Sequence, residues 1–517
     1  MKNTNVFGFL ERSLNTHKIK ISVYSIFFLA TLLVGSCSKD SIDDGKESII
    51  EGTKITNFSF LKTNNSSLEY DVYLNIEDNT IFGIIPHGVD IENLKATFEH
   101  NGLEAVINNV KQISDATIND FSNIIVYEIK TTDGREEEFQ VDLTYFTGLP
   151  IIYLDTDGLP IDSKEDYREG FASMYGGRNF NKLSDTEMKI RGRGNSTWYF
   201  HPKKAFQLKF SDKTQMLDMP EDKKWIFLAE HSDKTLIRNK IVFEMGYMSI
   251  LEWTPESYFS EVFINNEYNG TYNITQKVEE SDNRVVLGDT GYLLEIDQLE
   301  RMKDDDVYFY TSEFLINIKE PEVDYDSDEY NYAKNLINEF ETVLKGAQFR
   351  DPIVGYKKYI DVDSFIDWYL INEIVKNQDA RSWSSIFLNV IPGQKIKMGP
   401  LWDFDLAFGN VNYSECEYPE GFWVKDHAWY NRLFEDPTFV QKVKSRFLYF
   451  EQNQQMILDK IDFYANHLHL AQKENDYRWD IIGNYSWPNP VVYETYEEEV
   501  AHLKSWYIER MKWLGVA

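Results

Sequence analysis

The sequence contains little cysteine and has fewer positively than negatively charged residues. Only two of its 517 residues are cysteines, Cys37 and Cys416, which excludes a disulfide framework and a zinc site built from cysteines. Lysine and arginine number 53 against 85 aspartates and glutamates, so the formal net charge is −32. Affinity for a phosphate backbone comes from clustered cations, and this balance therefore argues against a nucleic-acid-binding protein. We expect neither a nucleic-acid partner nor a disulfide partner.

Long apolar runs are also missing, except for one near the N-terminus at residues 21–35. That run is shorter than the roughly 20 residues that span a membrane, and it follows a basic leader, as in a secretory signal. Its end, LVGSC, resembles a bacterial lipobox, in which the cysteine becomes the first mature residue and carries the lipid. We predict a lipoprotein signal over residues 1–37, a lipid on Cys37 and a flexible tether over residues 38–53. The protein would then be anchored in the cell envelope, on the periplasmic or surface face of the outer membrane.

Short alternating runs separated by turn residues occupy residues 54–147. Val72 and Leu74 alternate with Tyr73, as in a half-buried strand, and Asp133-Gly134 is typical of a hairpin turn. About six or seven strands in about 90 residues predict an immunoglobulin-like β-sandwich. No catalytic constellation occurs in it, so we expect a spacer, with a ligand-binding role as the alternative.

Residues 188–210 place glycines, arginines and small hydroxyls between two predicted strands. The backbone of such a loop can approach phosphate oxygens, and a lysine in the next strand can neutralise their charge. A glycine loop between strands is also commonly a plain turn, so both interpretations stay open here. Helical spacing in residues 233–248 makes Glu244 a candidate partner for a strand lysine.

Three acids flank a predicted β-hairpin. Asp379 comes just before it, and Asp403 and Asp405 come just after it. A hairpin brings its ends together, so the three carboxylates should lie close to one another. Clustered carboxylates repel unless a cation joins them, and Mg²⁺ prefers carboxylate oxygens together with substrate phosphates. In the alternative interpretation Asp379 caps a helix and Asp403 stabilises a turn.

Five segments, in order, resemble the CotH family of spore-coat-protein-H-like kinases. They are RGRGNSTW with PKKAFQLKF, TLIRNKI, NGTYNITQKVEE, NQDARSWSS and GPLWDFDLAFGN. The resemblance covers about residues 150–450 and implies an atypical protein-kinase-like domain with two lobes over residues 148–450. Residues 451–517 would form C-terminal helices packed on the large lobe. The predicted fold class is therefore α+β, with an N-terminal immunoglobulin-like β-sandwich followed by this kinase-like domain.

The resemblance also implies a function, the Mg²⁺-dependent transfer of phosphate from ATP to Ser or Thr of an unidentified protein acceptor. Asp379 would orient the attacking hydroxyl and accept its proton, and Asp403 would hold Mg²⁺ with help from Asp405. Lys204 would hold the α- and β-phosphates, with Glu244 as its helix partner. The remaining implied nucleotide contacts are the loop residues Gly192, Gly194, Asn195 and Ser196, with Lys203 or Lys209 as substitutes for Lys204.

The sequence departs from ordinary kinases in one important position. The metal-binding Asn that normally follows the catalytic Asp by five residues is Ser384 here, and Asn389 and Asn410 are the candidates to replace it. Two other functions stay open. ATP is scarce outside the inner membrane, so the fold could serve a non-catalytic cell-surface binding or adhesion protein. Asp379 and Asp403 could also serve a carboxylate-based glycan hydrolase.

Overall fold

The computed structural model describes residues 52–177 and 179–517, which form an α+β protein. The predicted signal segment, the lipidation site Cys37 and most of the predicted tether lie outside the described residues. Among the described residues, no helix has the length and the apolar character needed to cross a bilayer.

The first part of the described chain consists of short strands. They are β1 (Ile55–Phe60), β2 (Val72–Tyr73), β3 (Asn75–Glu77), β4 (Thr80–Pro86), β5 (Leu94–Lys95), β6 (Thr97–His100), β7 (Glu104–Ile107), β8 (Val110–Gln112), β9 (Ile118–Asn119), β10 (Ile125–Lys130) and β11 (Glu136–Phe146). They form a three-stranded sheet in the order β2-β1-β6, a six-stranded sheet in the order β3-β4-β11-β10-β7-β8, and the pair β5-β9. Aromatic and β-branched side chains such as Phe58, Tyr127 and Phe139 pack into one core. This part of the chain is therefore all-β with its own hydrophobic core.

Seven strands then close into a barrel. They are β12 (Ile151–Asp155), β13 (Arg168–Tyr175), β14 (Leu183–Arg193), β15 (Ala205–Thr214), β16 (Asp222–Leu228), β17 (Ser257–Ile264) and β18 (Glu267–Gln276). The barrel order is β12-β13-β14-β15-β16-β18-β17, and it closes because β12 pairs antiparallel with β13 and parallel with β17. Alternate residues of β15, namely Phe206, Leu208 and Phe210, lie in the barrel core, as the period of a strand predicts.

The rest of the chain combines a five-stranded sheet with helices. The sheet has the order β20-β21-β19-β22-β23 and consists of β19 (Tyr292–Asp297), β20 (Val307–Tyr310), β21 (Leu315–Glu320), β22 (Ile386–Val390) and β23 (Lys397–Met398). The helices are α1 (Ser196–Phe200), α2 (Arg238–Tyr247), α3 (Asp328–Lys345), α4 (Val362–Ile374), α5 (Ala428–Leu433), α6 (Pro437–Gln452), α7 (Gln454–His467), α8 (Ala471–Trp479) and α9 (Tyr496–Val516). The largest hydrophobic core of the described chain joins this sheet to α2–α7 and α9.

A buried ion pair ties the last helix to the centre of this core. Arg510 on α9 is fully buried and donates to the carboxylate and the main-chain carbonyl of Glu373 on α4, at 2.6 and 2.8 Å. Its guanidinium also donates to the carbonyls of Pro419 and Gly421. The carboxylate of Glu373 in turn accepts hydrogen bonds from the backbone N–H groups of residues 423 and 425. Both charges are thus surrounded by hydrogen-bond partners, which a buried pair requires.

We expect Arg510→Met to lower the free energy of unfolding by about 3–5 kcal/mol, because the carboxylate of Glu373 would remain buried without its cation. The control is Lys504→Met on the same helix, which removes a partly exposed pair with Asp462 and should cost less than about 1 kcal/mol. Urea denaturation measures both values. Equal losses in the two variants would contradict this account of the α9 anchor.

Candidate active site

The predicted β-hairpin forms and brings the two acidic segments together. Strands β22 and β23 pair antiparallel, with Leu388 opposite Met398. Asp379 opens a short 3₁₀ turn between α4 and β22, and Asp403 and Asp405 lie in the loop after β23. We call residues 403–405 the acid loop. All three acids are half-buried.

The three carboxylates influence one another electrostatically. Burial raises the pKa of Asp379 to about 7, repulsion from Asp403 adds to the shift, and the charge of Arg301 opposes it. Burial also raises the pKa of Asp405 well above its usual value, and Asp403, Glu230 and Asp379 raise it further. The acids therefore share one neighbourhood. Within residues 52–177 and 179–517, however, no three His, Cys, Asp or Glu side chains form a preformed metal-binding group.

The chemistry of the oxygen donors around Asp403 nevertheless suits Mg²⁺ carried in by a substrate. Mg²⁺ needs only one or two carboxylates when phosphates and water complete its shell. Besides the acids, the side-chain oxygen of Asn377 is buried without a hydrogen-bond partner, while the amide nitrogen of the same side chain lies 3.3 Å from the carbonyl of Asp403. The hydroxyl of Ser385 lies 3.4 Å from the Asp403 carboxylate. These candidate ligand atoms are all oxygens, so they fit a hard cation and not a soft metal.

The glycine loop differs from the predicted phosphate loop. The N–H of Gly192 already donates to the carbonyl of Ser163 at 2.8 Å, and a β-carbon at Gly192 would overlap the indole ring of Trp198. Gly194 has a φ of 86°, which permits the turn into α1. The side chain of Asn195 accepts a hydrogen bond from Lys164, and Ser196 opens α1. The amide N–H of Gly192 is therefore occupied by the fold, and the contact of the loop backbone with phosphate stays a prediction.

The lysines of this segment serve the local structure. The Lys204 amine donates to the carbonyls of Trp198 and His201, at 2.5 and 2.6 Å, so it holds α1 against the start of β15. Lys203 is fully buried, and its amine donates to the side chain of Asn475 at 2.8 Å and to a main-chain carbonyl of β18. Burial lowers the pKa of Lys203 to about 7, against the attraction of nearby glutamates. The substitute Lys209 is exposed on the barrel.

The predicted pairing of Glu244 with a strand lysine is wrong. Glu244 accepts a hydrogen bond from the hydroxyl of Tyr464 at 2.6 Å and pairs with Lys460 and Lys240, at 3.0 and 3.6 Å. It therefore faces α7. The reason is helix rotation, because the first turn of α2 presents Asn239 to the acid loop, whereas Glu244 lies on a different side of the helix.

The two asparagines proposed to replace Ser384 contact the main chain. Asn389 on β22 donates to the carbonyl of Gly399 at 3.3 Å, within the hairpin. Asn410 donates to the carbonyl of Asp405 at 2.8 Å and to that of Ser232 at 3.1 Å. Asn410 thus holds the backbone of the acid loop, and its side-chain nitrogen is occupied by these two hydrogen bonds.

Several residues of the site were missed by the sequence analysis. The guanidinium of Arg193, at the end of β14, lies over the ring of Trp402 with 5.1 Å to its centroid. Burial lowers the pKa of Arg193, and the charges of Asp403 and Glu295 oppose that shift. The sequence carried a signal for this arginine, since it is one of the arginines in the predicted glycine loop. Glu230 and Asn239 gave no such signal, because their contacts are made only in the folded chain.

Comparisons with known proteins identify a family and give distant structural likenesses. The model of a family described as "CotH kinase protein" matches residues 190–514, which is more than half of the chain and continues through α9. A solved structure described as a "putative glycoside hydrolase" from Bacteroides thetaiotaomicron is similar at 13% identity over 57% of this chain and 89% of that chain, with a TM-score of 0.17. No curated protein matches the chain.

We expect Asp379→Asn to raise the free energy of unfolding by up to about 4 kcal/mol above pH 7, because it removes a carboxylate whose ionised form the folded protein disfavours. A raised pKa means that the native state binds the proton more tightly than the unfolded state. The gain should therefore be absent near pH 4 and complete above pH 7. Denaturation across this pH range measures it.

The matched control for this measurement is Asp212→Asn, which neutralises an exposed aspartate of β15 and should change the stability by less than about 0.5 kcal/mol. A loss of stability in Asp379→Asn at pH 8 would contradict the repulsion that we assign to the site.

Proposed function

Because the chain belongs to the CotH family, we propose that it is a Mg²⁺-dependent phosphotransferase that moves phosphate from ATP to a Ser or Thr hydroxyl of a protein acceptor. The observation that carries this proposal is the neighbourhood of Asp379, Asp403 and Asp405, with Arg193 beside it. Phosphoryl transfer needs a cation held by acids, a group that takes the proton of the attacking hydroxyl, and positive charge for the phosphates. This neighbourhood supplies residues for all three tasks.

We further propose that the architecture follows the kinase pattern. The barrel of β12–β18 would act as the small lobe, and the five-stranded sheet of β19–β23 with its helices would act as the large lobe. Strands β1–β11 would be an immunoglobulin-like sandwich that spaces the enzyme from the membrane. The lipid on Cys37 would hold the protein in the cell envelope.

In the proposed reaction Asp403 and Asp405 would hold Mg²⁺, which supplies charge neutralisation for the transferring phosphoryl group. Asp379 would accept the proton of the attacking hydroxyl. Its carboxyl has a pKa raised to about 7, and a general base acts best when its pKa lies near the working pH. Since only the ionised form accepts a proton, the transfer rate should rise with pH as this carboxyl ionises.

Arg193 is a better candidate than Lys204 for the phosphates. Its guanidinium lies over Trp402, next to the acid loop, and feels the charge of Asp403. Its planar guanidinium can donate hydrogen bonds to two phosphate oxygens at once. Lys204, by contrast, would have to leave two carbonyl partners before reaching a ligand.

We expect Arg193→Gln to weaken Mg–ATP binding about 10- to 100-fold, the equivalent of one or two charge-assisted hydrogen bonds. Lys204→Gln should change the Kd by less than about threefold, because that amine is used by the fold. Isothermal titration of the full chain with ATP, with and without Mg²⁺, measures both. A larger effect in Lys204→Gln would assign the phosphates to the lysine instead.

Asp379→Asn should keep Mg–ATP binding but lower phosphoryl transfer by at least about 100-fold, because it removes the base and leaves the metal ligands in place. Asp403→Asn should lower binding and transfer together. Autophosphorylation with labelled ATP measures transfer. Absence of nucleotide binding in the parent chain would favour the adhesion alternative, and release of sugar from a glycan that depends on Asp379 would favour the hydrolase.

A further inference from the structure

The peptide group between Asp403 and Phe404 is held on both sides by side-chain amides. Its N–H donates to the side-chain oxygen of Asn239 at 2.8 Å. Its C=O accepts from the side-chain nitrogen of Asn377 at 3.3 Å. Asn239 comes from the first turn of α2, and Asn377 lies two residues before Asp379. One peptide group of the acid loop is therefore clamped from two separate elements.

The clamp acts on a strained residue. Asp403 has a φ of 69°, a left-handed conformation that residues other than glycine adopt at a cost. Such a conformation persists only where the surroundings hold it in place. The direction in which the Asp403 carboxylate projects depends on this backbone conformation. The two amides hold the polar atoms of the peptide group that follows Asp403, so they also fix the carboxylate.

Asn239 is itself held by an acid from the barrel side. Its side-chain nitrogen lies 3.0 and 3.2 Å from the two carboxylate oxygens of Glu230, in the loop after β16. Asn239 and Glu230 are both buried. The chain of contacts therefore runs from the barrel, through one amide, to the backbone of the acid loop. Opposite the accepting carboxylate of Glu230, position 239 needs an amide, since it must accept from one neighbour and donate to the other.

We propose that Asn239 is a positioning residue for Asp403, which couples Glu230 of the barrel to the geometry of the acid loop, with Asn377 as the second half of the clamp. The inference rests on the proposed function for its consequence, the binding of Mg–ATP. Residues that orient metal ligands in this way typically change metal affinity 10- to 100-fold when they are lost.

The first test is Asn239→Leu, which preserves most of the volume and removes both hydrogen bonds. In ligand-free protein, the amide of Phe404 should exchange its hydrogen at least about tenfold faster, the equivalent of one lost hydrogen bond. The Kd for Mg–ATP should rise about 10- to 100-fold. Unchanged exchange at Phe404 would overturn the proposal whatever the affinity.

The second test reverses the polarity of the contact. In the double variant Asn239→Asp with Glu230→Gln, the new glutamine amide can donate to the new aspartate, which still accepts from Phe404. The total charge is unchanged. Exchange at Phe404 and the Kd for Mg–ATP should both return to within about threefold of the parent values, as expected when both hydrogen bonds are retained. Failure of this rescue in a folded double variant would overturn the proposal.

Two controls separate positioning from general destabilisation. Asn65→Leu removes another buried amide that bridges two segments, Leu61 and Lys95, within the β1–β11 part of the chain, and should not change exchange at Phe404. Glu230→Gln alone keeps an oxygen that accepts from Asn239 and should also leave this exchange unchanged. If the parent chain fails to bind Mg–ATP, the proposed function fails, and hydrogen exchange still decides whether the clamp exists.

Discussion

Repulsion among three half-buried carboxylates is the constraint on which the site depends. Burial and the charge of Asp403 raise the pKa values of Asp379 and Asp405, so the folded protein holds charge that would be more favourable in water. By contrast, Arg510, another buried charge, is paired closely with Glu373. Like charges kept together without such pairing are typical of functional sites, where a ligand supplies the missing cation.

The surroundings hold these acids by contacts to the backbone. The acid loop and the residues just after it are tethered by Asn239 at the N–H of Phe404, by Asn410 at the carbonyl of Asp405 and by Arg238 at the carbonyl of Ala407. Backbone tethers leave the carboxylate oxygens available. A rigid backbone under free carboxylates is the arrangement that a preorganised electrostatic site needs.

Local rules predicted a good part of this arrangement. The acids around β22 and β23 were placed together because a hairpin returns its ends to one point. The barrel face of Phe206, Leu208 and Phe210 followed from the period of a strand. A glycine at position 192 permits any close neighbour, and only the folded chain shows that this neighbour is Trp198. Glu244 was misplaced because periodicity identifies a helix but does not say which neighbour each side of the helix meets.

The sequence by itself determined the alternation of the strands, the existence of the helices and the acids on either side of a hairpin, because these depend on residues close together in the chain. It also carried the motifs of the family that matches residues 190–514. Only the tertiary structure decided that Arg193 lies beside the acid loop, that Lys204 is held by carbonyls, and that Asn239 joins Glu230 to Phe404. These contacts join residues from 3 to about 209 positions apart, and the direction of each side chain is set by the packing of the barrel against the helices, which no local pattern encodes.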